Sequence, residues 1–300
     1  MNNSILGLHH VTAIAADPQR NLDFYTQVLG LRFVKLTVNF DDPGTYHFYF
    51  GNEAAAPGSV ITFFPWTGAA RGRIGAGQST ATAYAVPKNS LAHWTESLAD
   101  AGLVISASER FGMGLLAFHD PDGMPLELIA SAPASDNPAI IAFDSVTLTL
   151  ADPSRTAALL TETMGLSLVG EENGRARYAL GEGGPGQRID LLTAAGRGAP
   201  GAGTTHHIAW RLADDASQAQ WQKKLLNLGY QVSPVKDRDY FHSIYFREPG
   251  GVLFELATDP PGFAVDEAPE ALGTALKLPK QYEPRRAEIE RALPKLRLPG

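Results

Sequence analysis

Residues 10–34 have the sequence HVTAIAADPQRNLDFYTQVLGLRFV, and residues 145–169 have the sequence SVTLTLADPSRTAALLTETMGLSLV. A shift of 135 positions aligns the two stretches without a gap and superposes their Val-Thr, Asp-Pro and Gly-Leu pairs. An internal repeat of this length indicates that the chain is built from copies of one structural unit.

A second repeat defines the end of that unit. Residues 119–131 (HDPDGMPLELIAS) match residues 247–259 (REPGGVLFELATD), and Glu127 and Glu255 fall at the same position in the two stretches. Together the repeats divide the chain into four modules, at residues 7–66, 78–131, 143–193 and 204–258.

Each module has the same order of predicted elements. A strand comes first, a helix that starts near an Asp-Pro, Asn-Ser or Asp-Asp pair and stops at Gly follows, and three strands complete the unit. A βαβββ unit cannot cover its own sheet, so the modules must pair into two curved sheets that enclose cups. The predicted class is α+β, with domains at residues 1–135 and 136–300. The second domain includes a C-terminal tail with a helix near 284–293, and the Gly-rich stretch at 72–77 is a linker.

Two His-His doublets begin modules one and four, as His9-His10 and His206-His207. Both lie in predicted strands, in which successive side chains point to opposite faces, so one histidine of each doublet is expected to face a cup. His206 falls on the apolar side of its strand and His207 on the polar side. The same test places Glu255 on the polar side, and alternation therefore selects His10, His207 and Glu255 as one inward-facing set.

Two histidines and one carboxylate are the ligands of non-haem ferrous oxygenases, which leave metal positions open for substrate and oxygen. Hydrogen-bonded core histidines are the commoner interpretation of any single histidine, but here three positions agree. Only the pairing of modules one and four brings the set together. In the other cup Ser145 replaces His10, Glu127 is interpreted as structural, and Asp190 is placed out of register with Glu255, so that cup is expected to hold no metal.

The composition argues against several classes of function. The 300 residues are 44% hydrophobic, enough for one large or two medium domains with cores. A formal net charge of -7 without basic runs argues against nucleic acid or an anionic membrane as a partner. No stretch is apolar enough to span a bilayer and no signal peptide is evident, so a cytoplasmic location is expected. The absence of Cys excludes disulfides and thiolate ligands, so a metal would need N and O ligands.

These features resemble the vicinal oxygen chelate superfamily, whose βαβββ modules carry metal ligands on their first and last strands. More narrowly, LHHVTAIAADPQRNLDFYTQVLGLRFVKLTVNFDDPGTYHFYF and the later PGSVITFFPW are similar to the ring-cleaving dioxygenases that act on hydroquinones, the group that includes 2,6-dichlorohydroquinone 1,2-dioxygenase. The resemblance covers all four modules and much of the tail.

The resemblance implies a role for individual residues. In that family the second histidine of each doublet and the Glu of a Phe-Glu dipeptide bind Fe(II), which corresponds to His10, His207 and Glu255 here. Mn(II) shares such ligands. The resemblance also implies catalytic roles near the substrate at five further positions, which are His9, Thr12, His206, Arg238 and Tyr245.

The resulting hypothesis is an Fe(II)-dependent extradiol-type dioxygenase that opens hydroquinone-type or catechol-type rings with O2. A hydroquinone binds a metal through one hydroxyl only, so the protein has to hold the other, a task that suits Arg238, Tyr245 or an extra histidine. Two alternatives stay open: a glyoxalase-like metal-dependent isomerase or transferase, and a non-catalytic protein that binds aromatic compounds. The ring substituents and the oligomeric state are left open, and a homo-oligomer is possible.

Overall fold

The computed structural model describes residues 4–299, which contain the four modules and the tail. Module one consists of β1 (Leu8–Ala15), α1 (Pro18–Asp23), β2 (Arg32–Asn39), β3 (Asp42–Gly51) and β4 (Val60–Pro65). Module two consists of β5 (Gln78–Pro87), α2 (Leu91–Asp100), β6 (Ser106–Arg110), β7 (Met113–His119) and β8 (Pro125–Ala132). Module three consists of β9 (Ala142–Leu150), α3 (Ser154–Ala158), β10 (Ser167–Glu172), β11 (Arg175–Ala179) and β12 (Arg188–Thr193). Module four consists of β13 (Thr205–Leu212), α4 (Asp215–Asn227), β14 (Lys236–Asp237), β15 (Phe241–Arg247) and β16 (Leu253–Pro261).

Modules one and four share one sheet, and modules two and three share the other. The strand orders are β14-β15-β16-β13-β1-β4-β3-β2 and β10-β11-β12-β9-β5-β8-β7-β6. In each sheet the first strands of the two modules lie side by side and antiparallel, so an approximate two-fold axis relates the modules. This confirms the α+β class, the four modules and their pairing. Each sheet combines strands from residues 1–135 and 136–300, and the division into those two domains stays a prediction.

The helices begin at the predicted caps. Asp17 accepts a hydrogen bond of 2.8 Å from the backbone N of Arg20, and Asp214 caps α4 in the same way. Helices α1 and α3 differ from the prediction, because they continue as π-helical turns over Phe24–Val28 and Leu159–Thr163. The wider turn lets two successive side chains at the start of each π-helical stretch point into the core.

Alternation along the central strands separates the core from the cup. Val11 and Ala13 of β1 and Trp210 of β13 are fully buried in the main apolar cluster. Polar side chains such as that of Thr12 alternate with them and face the cup. Among residues 4–299, no helix combines the length and the apolar character needed to cross a membrane.

The tail packs on module one. It contains short 3-10 helices at Phe263–Val265, Pro269–Ala271 and Lys280–Arg285, followed by α5 (Arg286–Ala292). The Tyr46 hydroxyl donates to the carbonyl of Pro294 at 2.8 Å. Residues 72–77 form a linker, as predicted. They run against residues 194–203, which join modules three and four, so closely that a Cβ on Gly75 would lie 2.4 Å from the carbonyl oxygen of Gly196.

Candidate metal centre

Both His-His doublets contain a β-bulge. Between consecutive paired positions, β1 holds the extra residue His9, and β13 holds the extra residue His206. A bulge interrupts the alternation of side chains, so both histidines of a doublet point toward the same side. The expectations that one histidine per doublet faces the cup and that His206 lies on the apolar side were therefore wrong. His206 lines the cavity above the doublets.

His10, His207 and Glu255 converge at the bottom of the cup from the adjacent strands β1, β13 and β16. The Nε2 atoms of the two histidines are 3.3 Å apart, and Oε2 of Glu255 lies 3.4 Å from Nε2 of His10 and 2.8 Å from Nε2 of His207. All three side chains are buried. Among residues 4–299, they form the only group of three or more His, Cys, Asp or Glu side chains whose ligand atoms lie within 4.8 Å of one another.

Each bulged histidine contacts the second histidine of its own doublet. Nδ1 of His9 lies 2.8 Å from Nδ1 of His10, and Nδ1 of His206 lies 2.7 Å from Nδ1 of His207. If Nε2 of the second histidine binds a metal, its Nδ1 carries the proton and the bulged histidine has to accept it in a hydrogen bond. Burial and the neighbouring imidazole lower the pKa of both His9 and His206, so each is neutral and able to accept.

Glu255 is oriented by a residue that the sequence did not single out. Ser243 of β15 donates a hydrogen bond to Oε1 of Glu255, which leaves Oε2 directed at the two histidines. Burial alone would raise the pKa of Glu255, but His10 and His207 outweigh it and hold the pKa well below its usual value. Burial lowers the pKa of His207. Ser243 alternates with Tyr245 along β15, and that alternation was the available signal for it.

These residues fit a divalent cation. Oε2 of Glu255 is buried, and within residues 4–299 no donor meets the geometric criteria for a hydrogen bond to it, although Nε2 of His207 lies 2.8 Å away. A buried carboxylate in this state is costly unless a cation is near it. Ligand atoms bound to a metal at about 2.1 Å and roughly at right angles lie about 3 Å apart, close to the separations observed. An ionised carboxylate and neutral imidazoles are also the forms that bind metals.

A cavity of about 310 Å³ opens above the three residues. Its walls are largely aromatic, with Phe64, Trp66 and Phe241 among them. Arg238 and Tyr245, for which the resemblance implies roles near the substrate, both line it.

Arg238 bonds to two other residues that line this cavity. Its Nε donates to the Tyr245 hydroxyl at 3.4 Å, and its Nη2 donates to Asp41 of module one at 3.2 Å. Burial and Glu255 raise the pKa of Tyr245, so its hydroxyl stays protonated.

Thr12 belongs to a buried chain of hydrogen bonds. Its Oγ1 lies 2.7 Å from Oγ1 of Thr62, which lies 2.9 Å from Nε2 of His47, and Nδ1 of His47 lies 3.0 Å from the hydroxyl of Tyr49. His47, on β3, also lines the cavity. The alternation of His47 with Tyr49 could have indicated this position.

The second cup is crossed by ion pairs. Arg110 donates to both carboxylate oxygens of Glu127, at 2.6 and 2.7 Å. Arg177 donates to both oxygens of Asp190, at 2.7 and 2.9 Å. These carboxylates therefore have guanidinium partners, a structural arrangement of the kind predicted for Glu127.

The register of Asp190 differs from the prediction. Glu255 pairs with Ala209, two residues after His207, and Asp190 pairs with Thr147, two residues after Ser145. Asp190 therefore occupies the position in module three that Glu255 occupies in module four, and Thr62 occupies the same position in module one. The prediction was wrong because pairing with the first strand sets the register, whereas the length of the preceding loop does not.

Comparisons with known proteins agree with this architecture. The sequence profile of the Glyoxalase/Bleomycin resistance protein/Dioxygenase superfamily matches residues 7–128 and 142–256. The chain is 51% identical over 304 residues to "Putative ring-cleaving dioxygenase MhqO" of Bacillus subtilis (strain 168), covering 98% of this chain and 97% of that protein. It is 36% identical over 307 residues to "Chlorohydroquinone/hydroquinone 1,2-dioxygenase" of Sphingobium indicum, covering 96% and 95%.

Solved structures give the same grouping. The crystal structure of a "putative dioxygenase" from Bacillus subtilis subsp. subtilis str. 168 superposes with a TM-score of 0.94 at 50% identity and covers 99% of both chains. Glyoxalase I from Zea mays shares the fold, with a TM-score of 0.65 at 16% identity over 84% of this chain and 92% of that one. The chain therefore belongs to the Glyoxalase/Bleomycin resistance protein/Dioxygenase superfamily and, within it, to the family of ring-cleaving dioxygenases.

Proposed function

We propose that this protein is a non-haem Fe(II)-dependent dioxygenase that opens hydroquinone-type, or catechol-type, aromatic rings with O2. The observation that carries the proposal is the buried set of His10, His207 and Glu255 at the floor of an aromatic cavity. The names of its relatives, which include a chlorohydroquinone/hydroquinone 1,2-dioxygenase, support the same reaction class.

His10, His207 and Glu255 would hold the iron. When bound, ferrous iron supplies sites for a phenolic oxygen and for O2 and a route for electron density from the ring to O2. The three residues contribute a single negative charge, so a divalent centre stays positive and favours a phenolate over a neutral phenol. His9 and His206 keep the ligand rings in one orientation by accepting from their Nδ1 atoms.

The cavity supports a small aromatic substrate. Its volume of about 310 Å³ lies at the lower end of the ~300–1,000 Å³ typical of ligand pockets. Phe64, Trp66 and Phe241 offer apolar contacts to a ring. We assign the second hydroxyl of a hydroquinone to Arg238, which lines the cavity and whose guanidinium is held in place by Tyr245 and Asp41.

Two alternative functions have less support. A glyoxalase-like isomerase or transferase usually employs a fuller ligand set, and the position in module one that corresponds to Glu255 carries Thr62, whose hydroxyl is bonded to Thr12. A non-catalytic binding protein has no need of a buried metal triad. Mn(II) accepts the same ligands as Fe(II), and the cytoplasmic location and a homo-oligomeric state stay predictions.

Oxygen uptake after anaerobic reconstitution tests the proposal. Protein loaded with Fe(II), and in parallel with Mn(II), is given hydroquinone, methylhydroquinone, chlorohydroquinone and catechol in turn. We expect stoichiometric O2 uptake with loss of the aromatic absorbance for at least one ring with Fe(II). Tight binding of one iron per chain without uptake for any ring would refute ring cleavage.

Single substitutions test the metal set. We expect His10→Ala, His207→Ala and Glu255→Ala each to abolish metal binding and turnover while the circular dichroism spectrum stays that of the folded protein. His242→Ala is a matched control, because His242 lies on β15 but bonds to the exposed carboxylate of Asp215. An active Glu255→Ala protein would contradict the proposal.

A further inference from the structure

The side-chain amide of Asn39, at the end of β2, offers a hydrogen-bond donor to the cavity. Asn39 lines the cavity and is only 8% exposed. Its Oδ1 accepts a hydrogen bond of 2.9 Å from the backbone N of Asp41, and because an amide nitrogen cannot accept, this bond fixes the orientation of the amide. Nδ2 makes no hydrogen bond within residues 4–299, yet it is not closed off from solvent. It is therefore free to donate to a molecule in the cavity that Asn39 lines.

The hairpin that carries Asn39 is longer than the repeat requires. In module three only residues 173–174 join β10 to β11. The shift of 135 positions aligns Thr37 with the residue before that turn, and Thr37 pairs with His47, so that residues 38–46 stand in module one where two residues suffice in module three. This extension belongs to the cup that holds the candidate ligands, and it brings Asn39 to the cavity.

The extension lies across the cavity from the candidate ligands. The ligands lie on the inner strands β1, β13 and β16, whereas β2 and β14 are the two edges of the same sheet. The sheet curves until its edges meet, because Asp41, just beyond β2, accepts a hydrogen bond of 3.2 Å from Arg238, just beyond β14. A ring bound at the ligands through one oxygen therefore extends toward Arg238 and Asn39.

We propose that Asn39 is a specificity-determining residue, which donates a hydrogen bond from Nδ2 to an oxygen on the side of the ring opposite the metal-bound oxygen. The inference rests on the proposed function, because the ring is taken to bind the metal as a phenolate. A hydroxyl oxygen has two acceptor lone pairs, so Asn39 and Arg238 can share it.

This donor distinguishes between the two ring types of the proposed function. The second oxygen of a hydroquinone lies opposite the first and reaches Asn39. The second oxygen of a catechol is adjacent to the first and stays at the metal, so a catechol leaves Nδ2 without an acceptor from the ring. A donor left without its partner favours the ligand that supplies one, and Asn39 therefore favours hydroquinone-type rings.

Anaerobic calorimetry with Fe(II)-loaded protein tests the proposal with 4-methoxyphenol and 4-ethylphenol. The two phenols have nearly the same shape and differ in one ether oxygen opposite the phenolic oxygen. We expect Asn39→Asp to reduce the preference for 4-methoxyphenol about fivefold, the effect of one hydrogen bond between neutral groups. Asp keeps an oxygen that accepts from the backbone N of Asp41 and lacks the donor, and its charge acts on the phenolate oxygen of both probes alike.

Two further variants separate the lost donor from added charge and from damage to the turn. Asn39→Leu removes the donor without adding charge, and it should reduce the preference about fivefold as well. Asn137→Asp is a matched control, because Oδ1 of Asn137 makes the same kind of bond, at 3.0 Å from the backbone N of Ala139, on an exposed segment outside the cavity. It should keep the wild-type preference.

Several results would overturn the proposal. They are an absence of preference in the wild type, an unchanged preference in Asn39→Asp, a wild-type preference in Asn39→Leu, and an equal loss in Asn137→Asp. The third result would assign the effect to charge, and the fourth would assign it to damage unrelated to the cavity.

The oxygen-uptake experiment distinguishes this inference from the proposed function. Ring cleavage by the wild type, with an unchanged preference in Asn39→Asp, removes only the role of Asn39. No O2 uptake with any ring, together with the reduced preference in both Asn39 variants, removes the dioxygenase function and leaves the donor supported.

Discussion

Glu127 and Glu255 occupy equivalent positions in the two sheets, and replacing each with Gln should have opposite consequences. Each pairs with the same position of a neighbouring first strand, Glu127 with Ala83 and Glu255 with Ala209. Glu127→Gln should lower stability and leave metal binding intact. Glu255→Gln should abolish metal binding and leave the stability of the metal-free protein almost unchanged.

The magnitude for Glu127→Gln follows from its partner. The side chains of Arg110 and Glu127 are 13% and 9% exposed and are joined by two short hydrogen bonds. Removal of one partner of a buried pair costs about 3–5 kcal/mol because the remaining charge is left without compensation. Partial exposure of Arg110 reduces this to about 2–4 kcal/mol, or roughly 3–6 °C in Tm for a chain of this size.

Glu255→Gln differs because its carboxylate has no fixed cation. Ser243 can donate to the amide oxygen as it does to Oε1, and the substitution removes a buried charge whose Oε2 makes no hydrogen bond within residues 4–299. We therefore expect a change within about 1 kcal/mol in the metal-free protein. Metal at 100 times its dissociation constant should stabilise the wild type by about 2.7 kcal/mol and leave Glu255→Gln unaffected.

Urea unfolding with chelator and with added Fe(II), together with metal analysis, measures both effects. The two variants serve as controls for each other, since each changes a buried Glu to Gln at the same place in its sheet. Retention of one tightly bound metal by Glu255→Gln would refute the assignment of the ligand. Loss of metal by a fully stable Glu127→Gln would refute the division of roles between the cups.

Three further perturbations have defined outcomes. His9→Phe removes the acceptor for Nδ1 of His10 and should weaken metal binding about 10- to 100-fold in a competition titration, with partial recovery in His9→Gln; unchanged affinity would show that His9 does not orient His10. Lys35→Met should cost about 3 kcal/mol in urea unfolding, because fully buried Lys35 is paired with the carboxylates of Asp266 and Glu267 in the tail, and a loss below about 1 kcal/mol would contradict this. Burial raises the pKa of Asp120 to about 6, so the folded state binds more protons than the unfolded state between about pH 4 and about pH 6. The free energy of unfolding of the wild type should therefore fall by about 2–3 kcal/mol as the pH rises from about 4 to about 6. Asp120→Asn should lack that fall.

Local sequence patterns singled out the three residues that the structure brings together, and their role as metal ligands stays a prediction. The repeat fixes which strands are equivalent, and alternation placed His10, His207 and Glu255 in the cup, although the bulges place His9 and His206 on the same side as well. These inferences use only the two-residue period of a strand and the caps of a helix, both of which are written in neighbouring residues. The pairing of modules one and four followed because no other pairing brings the three residues together.

The features that the sequence did not predict depend on pairing between distant strands. The bulges at His9 and His206 are defined only by the pairing of β1 with β13. These strands are distant in the sequence, since His10 and His207 are 197 residues apart. The register of Asp190 is likewise set by β9 and not by its own loop. A pattern within one strand cannot carry this information, so strict alternation gave the wrong side for His206.

The two cups differ in the source of the positive charge that each carboxylate requires. The bulges recur in β5 and β9, and the carboxylates Glu127 and Asp190 lie where Glu255 and Thr62 lie in the first sheet. In the second cup the cations are the guanidinium groups of arginine, which are covalently fixed and therefore contribute to the fold. In the first cup Glu255 has no guanidinium partner among residues 4–299, and we propose that a metal ion from solution supplies the positive charge. The same backbone arrangement thus holds a structural ion pair where arginine lies beside the carboxylate. Where histidine lies beside it, we propose a site for an exchangeable metal.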